Sequence, residues 1–145
     1  MKCNNGFHLS TTDDNICLLT VNEPKTWESA RQDCESKNAN LVTIGSDAMQ
    51  TEIDSLVTES IWIGFSLGSD GLFFWESGAT VVNPNWNDNE PNNQGDSEEC
   101  AESVFQSGWN DKNCGDLRSV KPLQYLVITA FEDQLRSFES IVNFD

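Results

Sequence analysis

Several features are scarce or absent in this sequence of 145 residues. It has a single histidine, His8, and neither a nucleophile elbow nor a phosphate-binding loop, so the main signs of a catalytic centre are missing. No apolar run approaches 18 residues, the length of a membrane span. The first ten residues lack the apolar core of a signal peptide, and no Asn-x-Ser/Thr sequon occurs. We therefore expect neither an enzyme nor a membrane-spanning protein.

Basic residues are also few. The chain has 8 Lys and Arg against 24 Asp and Glu, which gives a formal net charge of −16. Nucleic acid is not an expected partner, because its binding requires a basic surface. Most of the acids are expected to form a solvated surface, but six of them fall close together, where a bound cation would relieve their mutual repulsion. These six are Asp88, Glu90, Asp96, Glu98, Glu99 and Asp111.

The cysteine and tryptophan content indicates a compact extracellular domain. Five cysteines, five tryptophans and 37% apolar residues are present. A chain of this length is expected to fold as one domain, since it can bury about two thirds of its unfolded surface. We therefore expect a secreted or extracellular protein, although five cysteines cannot all pair within one chain.

The residue pattern predicts an α+β fold with an antiparallel sheet core. One helix is predicted to start after Thr26 and to run over residues 27 to about 37. A second helix is predicted from Ser46 or Asp47 to Val57. Trp62 is expected in the core, and Trp86 and Trp109 are expected to pack beside a site. Strands are predicted over residues 15–20, 60–66, 72–75, 101–105 and 123–128.

A long loop contains the first of the polar clusters that indicate a site. Residues 82–95 contain Asn, Asp, Pro and Gly with almost no apolar side chain, and loops of more than about 12 residues without structure of their own usually carry function. Ca²⁺ takes about 6–8 oxygen ligands, whereas zinc would require imidazole or thiolate. The sequence therefore predicts an oxygen-lined calcium site. Its acids and amides form the clusters Glu90-Pro91-Asn92, Glu98-Glu99 and Asn110-Asp111.

These clusters are part of a longer series of motifs, from Cys3 to about Arg118, through which the chain resembles a C-type lectin-like domain in its long form. The resemblance implies two helices packed on small antiparallel sheets with a long calcium-binding loop, spanning residues 1–128. The motifs are the segment from Cys3 to Cys17, a helix with Trp27, Ala30 and Cys34, Ala39-Asn40-Leu41-Val42, Trp62-Ile63-Gly64, Glu90-Pro91-Asn92, Glu98, Cys100, Trp109-Asn110-Asp111 and Cys114.

The resemblance also implies the ligands of one calcium ion, which would bind the carbohydrate as well. Neighbouring sugar hydroxyls complete the coordination of the ion, while each hydroxyl donates to a carboxylate and accepts from an amide NH₂. In this family a Glu-Pro-Asn triplet, with a cis bond before its proline, accompanies mannose-type sugars (mannose, N-acetylglucosamine, glucose or fucose), whereas Gln-Pro-Asp accompanies galactose. We therefore expect glycans with mannose-type hydroxyl geometry as partners. The implied ligands are Glu90, Asn92, Glu98, Asn110 and Asp111.

Three alternatives accompany this interpretation. The same fold hosts domains that bind a protein, a lipid or another non-sugar ligand. Glu90 and Glu98 would suit glycoside hydrolysis, which uses two carboxylates, but the neighbouring amides argue against it. An auxiliary calcium site would use Asp70, position 93 and Glu99, but Asn93 replaces the usual acid. We favour a single calcium site and sugar binding.

The resemblance implies disulfides Cys3–Cys17 and Cys100–Cys114. It would pair Cys34 with a cysteine on the last strand, and no cysteine stands there. We interpret Cys34 as an unpaired, buried and inert thiol rather than half of an intermolecular disulfide. The positions where the missing cysteine would stand are Lys121 or Pro122 by one register and Val127 by another.

Residues 129–145 are interpreted as a divergent C-terminal extension. Its apolar residues recur at helical spacing, which indicates an amphipathic helix. This helix would fold back on the domain or pair with another subunit in a homo-oligomer, and we favour the first arrangement. The apolar positions are Phe131, Leu135, Phe138 and Ile141 or Val142.

Overall fold

The structure is a computed structural model that describes residue 3, residues 6–116 and the backbone of residues 124–130. The positions predicted for the missing cysteine at 121 and 122, and the predicted extension beyond residue 130, lie outside these residues. In chain order the elements are β1 (His8–Leu9), β2 (Ile16–Val21), α1 (Trp27–Ser36), β3 (Asn40–Leu41), α2 (Asp47–Leu56), β4 (Ile61–Leu67), β5 (Phe73–Trp75), β6 (Cys100–Ser103), β7 (Trp109–Lys112) and β8 (Gln124–Ala130), with a short 3₁₀ turn at Gln94–Asp96.

The strands form a mainly antiparallel sheet in the order β1-β2-β8-β4-β6-β7, with β3 paired to β8 and β5 paired to β4. Only the pairing of β4 with β8 is parallel among these strands. The backbone of β8 runs along β2, with Ile16 opposite Ala130 and Val21 opposite Tyr125. This arrangement of two helices and an antiparallel sheet confirms the predicted α+β class.

Both helices begin at the predicted capping residues. The hydroxyl of Thr26 accepts a hydrogen bond from the backbone N–H of Ser29, and the hydroxyl of Ser46 accepts from that of Met49. Such caps satisfy backbone donors that have no partner inside the helix. The buried face of α1 carries Trp27, Ala30 and Cys34, as their spacing predicts. Each helix ends one residue before its predicted C-terminal limit.

The core occupies the space between the helices and β4. Trp62 and Ile63 are fully buried, as predicted, and the indole N–H of Trp27 donates to the carbonyl oxygen of Ile63 at 2.9 Å. At Gly64 a Cβ atom would lie 2.7 Å from the carbonyl oxygen of Leu41. Only glycine therefore allows β3 to approach β4 so closely.

The structure contains the disulfides Cys3–Cys17 and Cys100–Cys114. Cys34 is free and fully buried, in the same cluster as Leu41, whose partner in β8 is Val127. Burial, with a smaller contribution from Asp33, raises the pKa of the Cys34 thiol to about 12. The thiol is therefore uncharged and unreactive at neutral pH.

Three strands were not predicted. β1 and β3 contain two residues each, which is too short for an alternating pattern to be visible. β7 contains the Trp109-Asn110-Asp111 motif, whose polar residues indicate ligands rather than a strand. No helix in the described part of the chain is long and apolar enough to cross a bilayer.

Candidate calcium and carbohydrate site

The long loop is attached to the beginning of β7. The backbone N–H of Asn87 donates to the carbonyl of Trp109 at 2.9 Å, and that of Trp109 donates to the carbonyl of Asn85 at 2.7 Å. A Cβ atom at Gly108 would lie 2.6 Å from the Asn85 carbonyl oxygen, so this close approach requires glycine. Trp86 packs edge-on against Trp109, with ring centroids 6.1 Å apart. The predicted packing role of both tryptophans is confirmed.

The composition of the loop follows from its backbone conformation. Four non-glycine residues have positive φ in the left-handed region, where asparagine and aspartate are tolerated better than other residues. Each of them is an asparagine or an aspartate. They are Asn83 (45°), Asn89 (65°), Asn93 (46°) and Asp96 (55°).

Asp111 is the buried acid that anchors the loop to the sheet. It is 0% exposed and lies on β7, directly opposite Ala101 of β6. Its carboxylate accepts the backbone N–H of Asn92 at 3.0 Å and that of Asn93 at 2.7 Å. These two bonds fix the loop around residues 92 and 93 against the sheet, and they satisfy a buried charge that would otherwise be costly.

Glu90 lies beside this anchor. Its carboxylate accepts the side-chain NH₂ of Asn92 at 3.1 Å and the backbone N–H of Asn92 at 3.2 Å, and the Glu90–Pro91 peptide bond is cis. Burial raises the pKa of Glu90, and a hydrogen bond and charge repulsion from Asp111, with weaker repulsion from Glu98, raise it further. Glu90 therefore lies close to two other acids, Asp111 and Glu98.

Glu98 completes a hydrogen-bonded turn. Its carboxylate accepts the backbone N–H of Gln94 at 2.9 Å, and its own backbone N–H donates to the side-chain oxygen of Asn93 at 3.1 Å. The side-chain oxygen of Asn92 accepts the same Gln94 N–H at 3.1 Å. The loop thus places Glu98 next to Glu90 and Asn92.

Asn110 precedes Asp111 on β7, and its side-chain NH₂ donates to Glu102 at 3.1 Å. The donor set contains carboxylate and amide oxygens, which are the ligands that a hard cation such as Ca²⁺ prefers. In the described part of the chain no three His, Cys, Asp or Glu side chains form a metal-binding group by themselves. A site here therefore depends on its amides as well as its acids, and the residues present fit calcium.

The structure also reveals supporting residues that the sequence pattern did not identify. The side-chain oxygen of Gln50, on α2, accepts the indole N–H of Trp109 at 2.8 Å. The side-chain oxygen of Asn87 accepts the backbone N–H of Gly108 and the hydroxyl of Ser107, both at 2.7 Å. These side chains fix the start of β7 and, with it, the position of Asp111.

Comparison with known proteins identifies the class. The profile of the family described as Lectin C-type domain matches residues 23–120, and the chain belongs to this family. The family consists generally of non-enzymatic binding proteins, which confirms the expectation that the chain is not an enzyme. Its members typically bind Ca²⁺.

Particular relatives agree with this assignment. The chain is 34% identical over 110 residues to the C-type lectin lectoxin-Lio3 of Erythrolamprus poecilogyrus, covering 68% of each chain. It is 33% identical over 109 residues to ladderlectin of Oncorhynchus mykiss, covering 69% of this chain and 57% of that one. It is 37% identical over 106 residues to pulmonary surfactant-associated protein D of Bos taurus, covering 70% and 28%. The chain thus spans less than two thirds of the last two relatives.

Solved structures show the same fold. The cow C-type carbohydrate-recognition domain of CD23, determined in the presence of GlcNAc2Man3 oligosaccharide, has a TM-score of 0.79 at 25% identity, covering 89% of this chain and 96% of that one. A calcium-independent type II antifreeze protein has a TM-score of 0.77 at 24% identity, covering 89% and 95%. The second comparison supports the fold alone.

Proposed function

We propose that this chain is a calcium-dependent carbohydrate-binding domain with one calcium site. The observation that carries the proposal is a set of acids and amides in a loop that is fixed to the sheet through the buried Asp111. Glu90 and Glu98 lie there next to the side chain of Asn92. Burial, the carboxyl of Asp111 and, more weakly, the charge of Glu98 raise the pKa of Glu90, and a bound cation would offset the repulsion between these acids. The proposed ligands of calcium and sugar are Glu90, Asn92, Glu98, Asn110 and Asp111.

The side chains divide the recognition of a sugar between acceptors and donors. When bound, Ca²⁺ would supply positive charge and open coordination positions for two neighbouring hydroxyl oxygens. Glu90 and Glu98 would then accept hydrogen bonds from the hydroxyl groups, whereas the NH₂ groups of Asn92 and Asn110 would donate to the hydroxyl oxygens. The order of acid and amide along the site therefore selects the geometry of the hydroxyl pair.

The Glu90-Pro91-Asn92 triplet supports a preference for mannose-type sugars, as the family pattern implies. The CD23 domain, at 25% identity, was solved with an oligosaccharide that contains mannose and N-acetylglucosamine. We propose the same class of glycan for this chain. A single shallow site binds a monosaccharide weakly, so useful avidity requires several copies.

Calorimetry tests the proposal directly. The protein is titrated first with Ca²⁺ and then with mannose, with galactose as the control sugar, and the mannose step is repeated in excess chelator. We expect heat from mannose only when calcium is present. Mannose binding that persists in chelator would refute the proposal.

A pair of adjacent variants sharpens the test. Glu98→Gln removes a proposed ligand, whereas Glu99→Gln removes the neighbouring exposed acid and changes the net charge by the same amount. We expect the first variant to lose calcium and mannose binding and the second to keep both. Equal losses would indicate a general charge effect instead of ligation.

The alternative function is binding of a protein, lipid or other non-sugar ligand. Apolar side chains at the hairpin of β5 favour it, because Leu72 is 67% exposed and Phe74 is 44% exposed. Calcium binding without any sugar response in the calorimetric test would support this alternative.

We also propose that residues 1–128 form the lectin domain and residues 129–145 an extension, and that the protein works outside the cell. Its two disulfides support that location, since disulfides persist in oxidising compartments. Circular dichroism of a chain ending at residue 128 tests the boundary. An unfolded product would refute it.

A further inference from the structure

A buried acid lies behind one of the proposed ligands. Glu102 on β6 is 6% exposed and is paired with Asn110 on β7. Its Oε1 atom accepts the side-chain NH₂ of Asn110 at 3.1 Å and lies 3.5 Å from the Nζ atom of Lys112. Alternation along β7 puts Asn110 and Lys112 on the same face of the strand, so Glu102 is held between an amide and a cation.

The contact with Glu102 determines how the side-chain amide of Asn110 is oriented. The asparagine side chain has an acceptor oxygen on one side and a donor NH₂ on the other, and only the oxygen can bind a cation. An ionised carboxylate accepts hydrogen bonds and donates none. The NH₂ of Asn110 must therefore face Glu102, and its Oδ1 atom faces away from Glu102.

We propose that Glu102 is a positioning residue that fixes which end of the Asn110 amide is offered to the cation. Glu102 acts only through Asn110, and the Nζ atom of Lys112 lies 3.5 Å from the same carboxylate oxygen. This inference rests on the proposed function, because it takes Asn110 as a calcium ligand. It adds a residue that lies outside the set of ligands.

The expected loss of calcium affinity in Glu102→Gln follows from the populations of the two orientations of the Asn110 amide. Glutamine at position 102 presents both an oxygen and an NH₂, so it no longer selects one orientation of Asn110. If the released amide takes both orientations equally, the apparent calcium affinity falls about two-fold. Partners that orient metal ligands typically contribute about 10–100-fold. We therefore expect Glu102→Gln to weaken calcium binding between about two-fold and about ten-fold.

A double-mutant cycle separates positioning from a general structural effect. Calcium alone is titrated into the unaltered chain, Glu102→Gln, Asn110→Asp and the double variant. A carboxylate at position 110 has two equivalent oxygens and needs no orientation. We expect Glu102→Gln to weaken calcium binding when position 110 is asparagine. In the Asn110→Asp background the same substitution should leave calcium affinity unchanged. The same fold-loss in both backgrounds would overturn the inference.

A second readout uses the calcium-free protein. In ¹⁵N NMR spectra the side-chain NH₂ signals of Asn110 should shift and exchange faster with water in Glu102→Gln. Unchanged signals would overturn the inference. If this variant does not fold, Glu102→Asp keeps the anionic acceptor but moves it away from Asn110, and it should show the same dependence on the residue at position 110.

A matched control is available at Glu52, another buried acid, whose hydrogen bonds go to residues 10–12. Glu52→Gln removes the same charge, and we expect its calcium affinity to remain unchanged. An equal loss in this control would overturn the inference. If the unaltered chain binds no calcium, the proposed function and this inference both fail, whereas normal binding with equal losses in both backgrounds overturns only the inference.

Discussion

Replacing Glu52 with glutamine should destabilise the domain in a manner that depends on pH. Glu52 lies on α2 and is 7% exposed. Its carboxylate accepts the Ser10 hydroxyl at 2.6 Å, the Thr11 backbone N–H at 2.7 Å and the Thr12 hydroxyl at 2.9 Å. These bonds attach the segment between β1 and β2 to the helix.

The direction of the Glu52 pKa shift shows that these hydrogen bonds favour the charged carboxylate. Burial raises the pKa of Glu52, but the hydrogen bonds from Ser10, Thr11 and Thr12 outweigh burial, and the pKa is lowered overall. A lowered pKa means that the charged form stabilises the fold above the ordinary glutamate pKa of about 4.3. This contribution is lost as the pH falls through the lower pKa of the folded state.

The magnitude follows from the number and type of bonds. Hydrogen bonds to charged groups contribute about 1.5–3 kcal/mol each, but glutamine retains one acceptor oxygen. We therefore expect a net loss of roughly 2 kcal/mol at pH 7, which corresponds to a decrease in Tm of about 4–8 °C.

Urea unfolding followed by circular dichroism measures this loss at pH 7 and again at pH 3.5, in chelator so that metal does not contribute. The difference between the two proteins should shrink at the lower pH, because protonation removes the charge of Glu52 in the parent chain. Glu99→Gln serves as an exposed control with no expected loss. A difference that is equal at both pH values would refute the role of the charge.

Three further predictions concern the site. Exchanging acid and amide with Glu90→Gln and Asn92→Asp should weaken mannose binding and favour galactose, measured by competition on a mannose resin. Lowering the pH from 7 to 5 should weaken calcium binding in calorimetry, since burial, the Asp111 carboxyl and Glu98 raise the pKa of Glu90 and protons then compete with the metal. Gln50→Leu should cost about 1–3 kcal/mol in urea unfolding, because the buried indole N–H of Trp109 loses its acceptor.

Each of these has an outcome that contradicts it. An unchanged sugar preference would show that Glu90 and Asn92 do not select the hydroxyl geometry. Calcium affinity that is independent of pH would argue against carboxylate ligation. For Gln50, stability equal to that of the parent chain would mean that water replaces the lost acceptor.

The helices were predictable because their signals are local. Thr26 and Ser46 are polar residues directly before apolar repeats, and each caps its helix in the structure. The buried strand around Trp62 was predictable from its large apolar side chains. The clustered acids and amides between Asn87 and Asp111 predicted a cation site from sequence, whereas its individual ligands came from the family resemblance and stay a prediction.

The supporting residues were not predictable in the same way. Glu52, Glu102 and Gln50 are polar, and a pattern of apolar and polar residues assigns such side chains to the surface. Their partners lie at sequence separations of 41 for Glu52 and Thr11, 8 for Glu102 and Asn110, and 59 for Gln50 and Trp109. Tertiary contacts of this kind become visible only when the strands and helices are placed together.

The distribution of disulfides has a consequence for how the chain folds. Each disulfide joins cysteines 14 residues apart and closes a short loop. By restricting the unfolded chain, such a loop stabilises the folded state by only about 3 kcal/mol. The pairing of Leu18 with Ile128 joins opposite ends of the domain, and Cys34, which is free, provides no covalent link between α1 and β8. Neither disulfide shortens the search for this long-range contact, which oxidised and reduced chains must both find by diffusion.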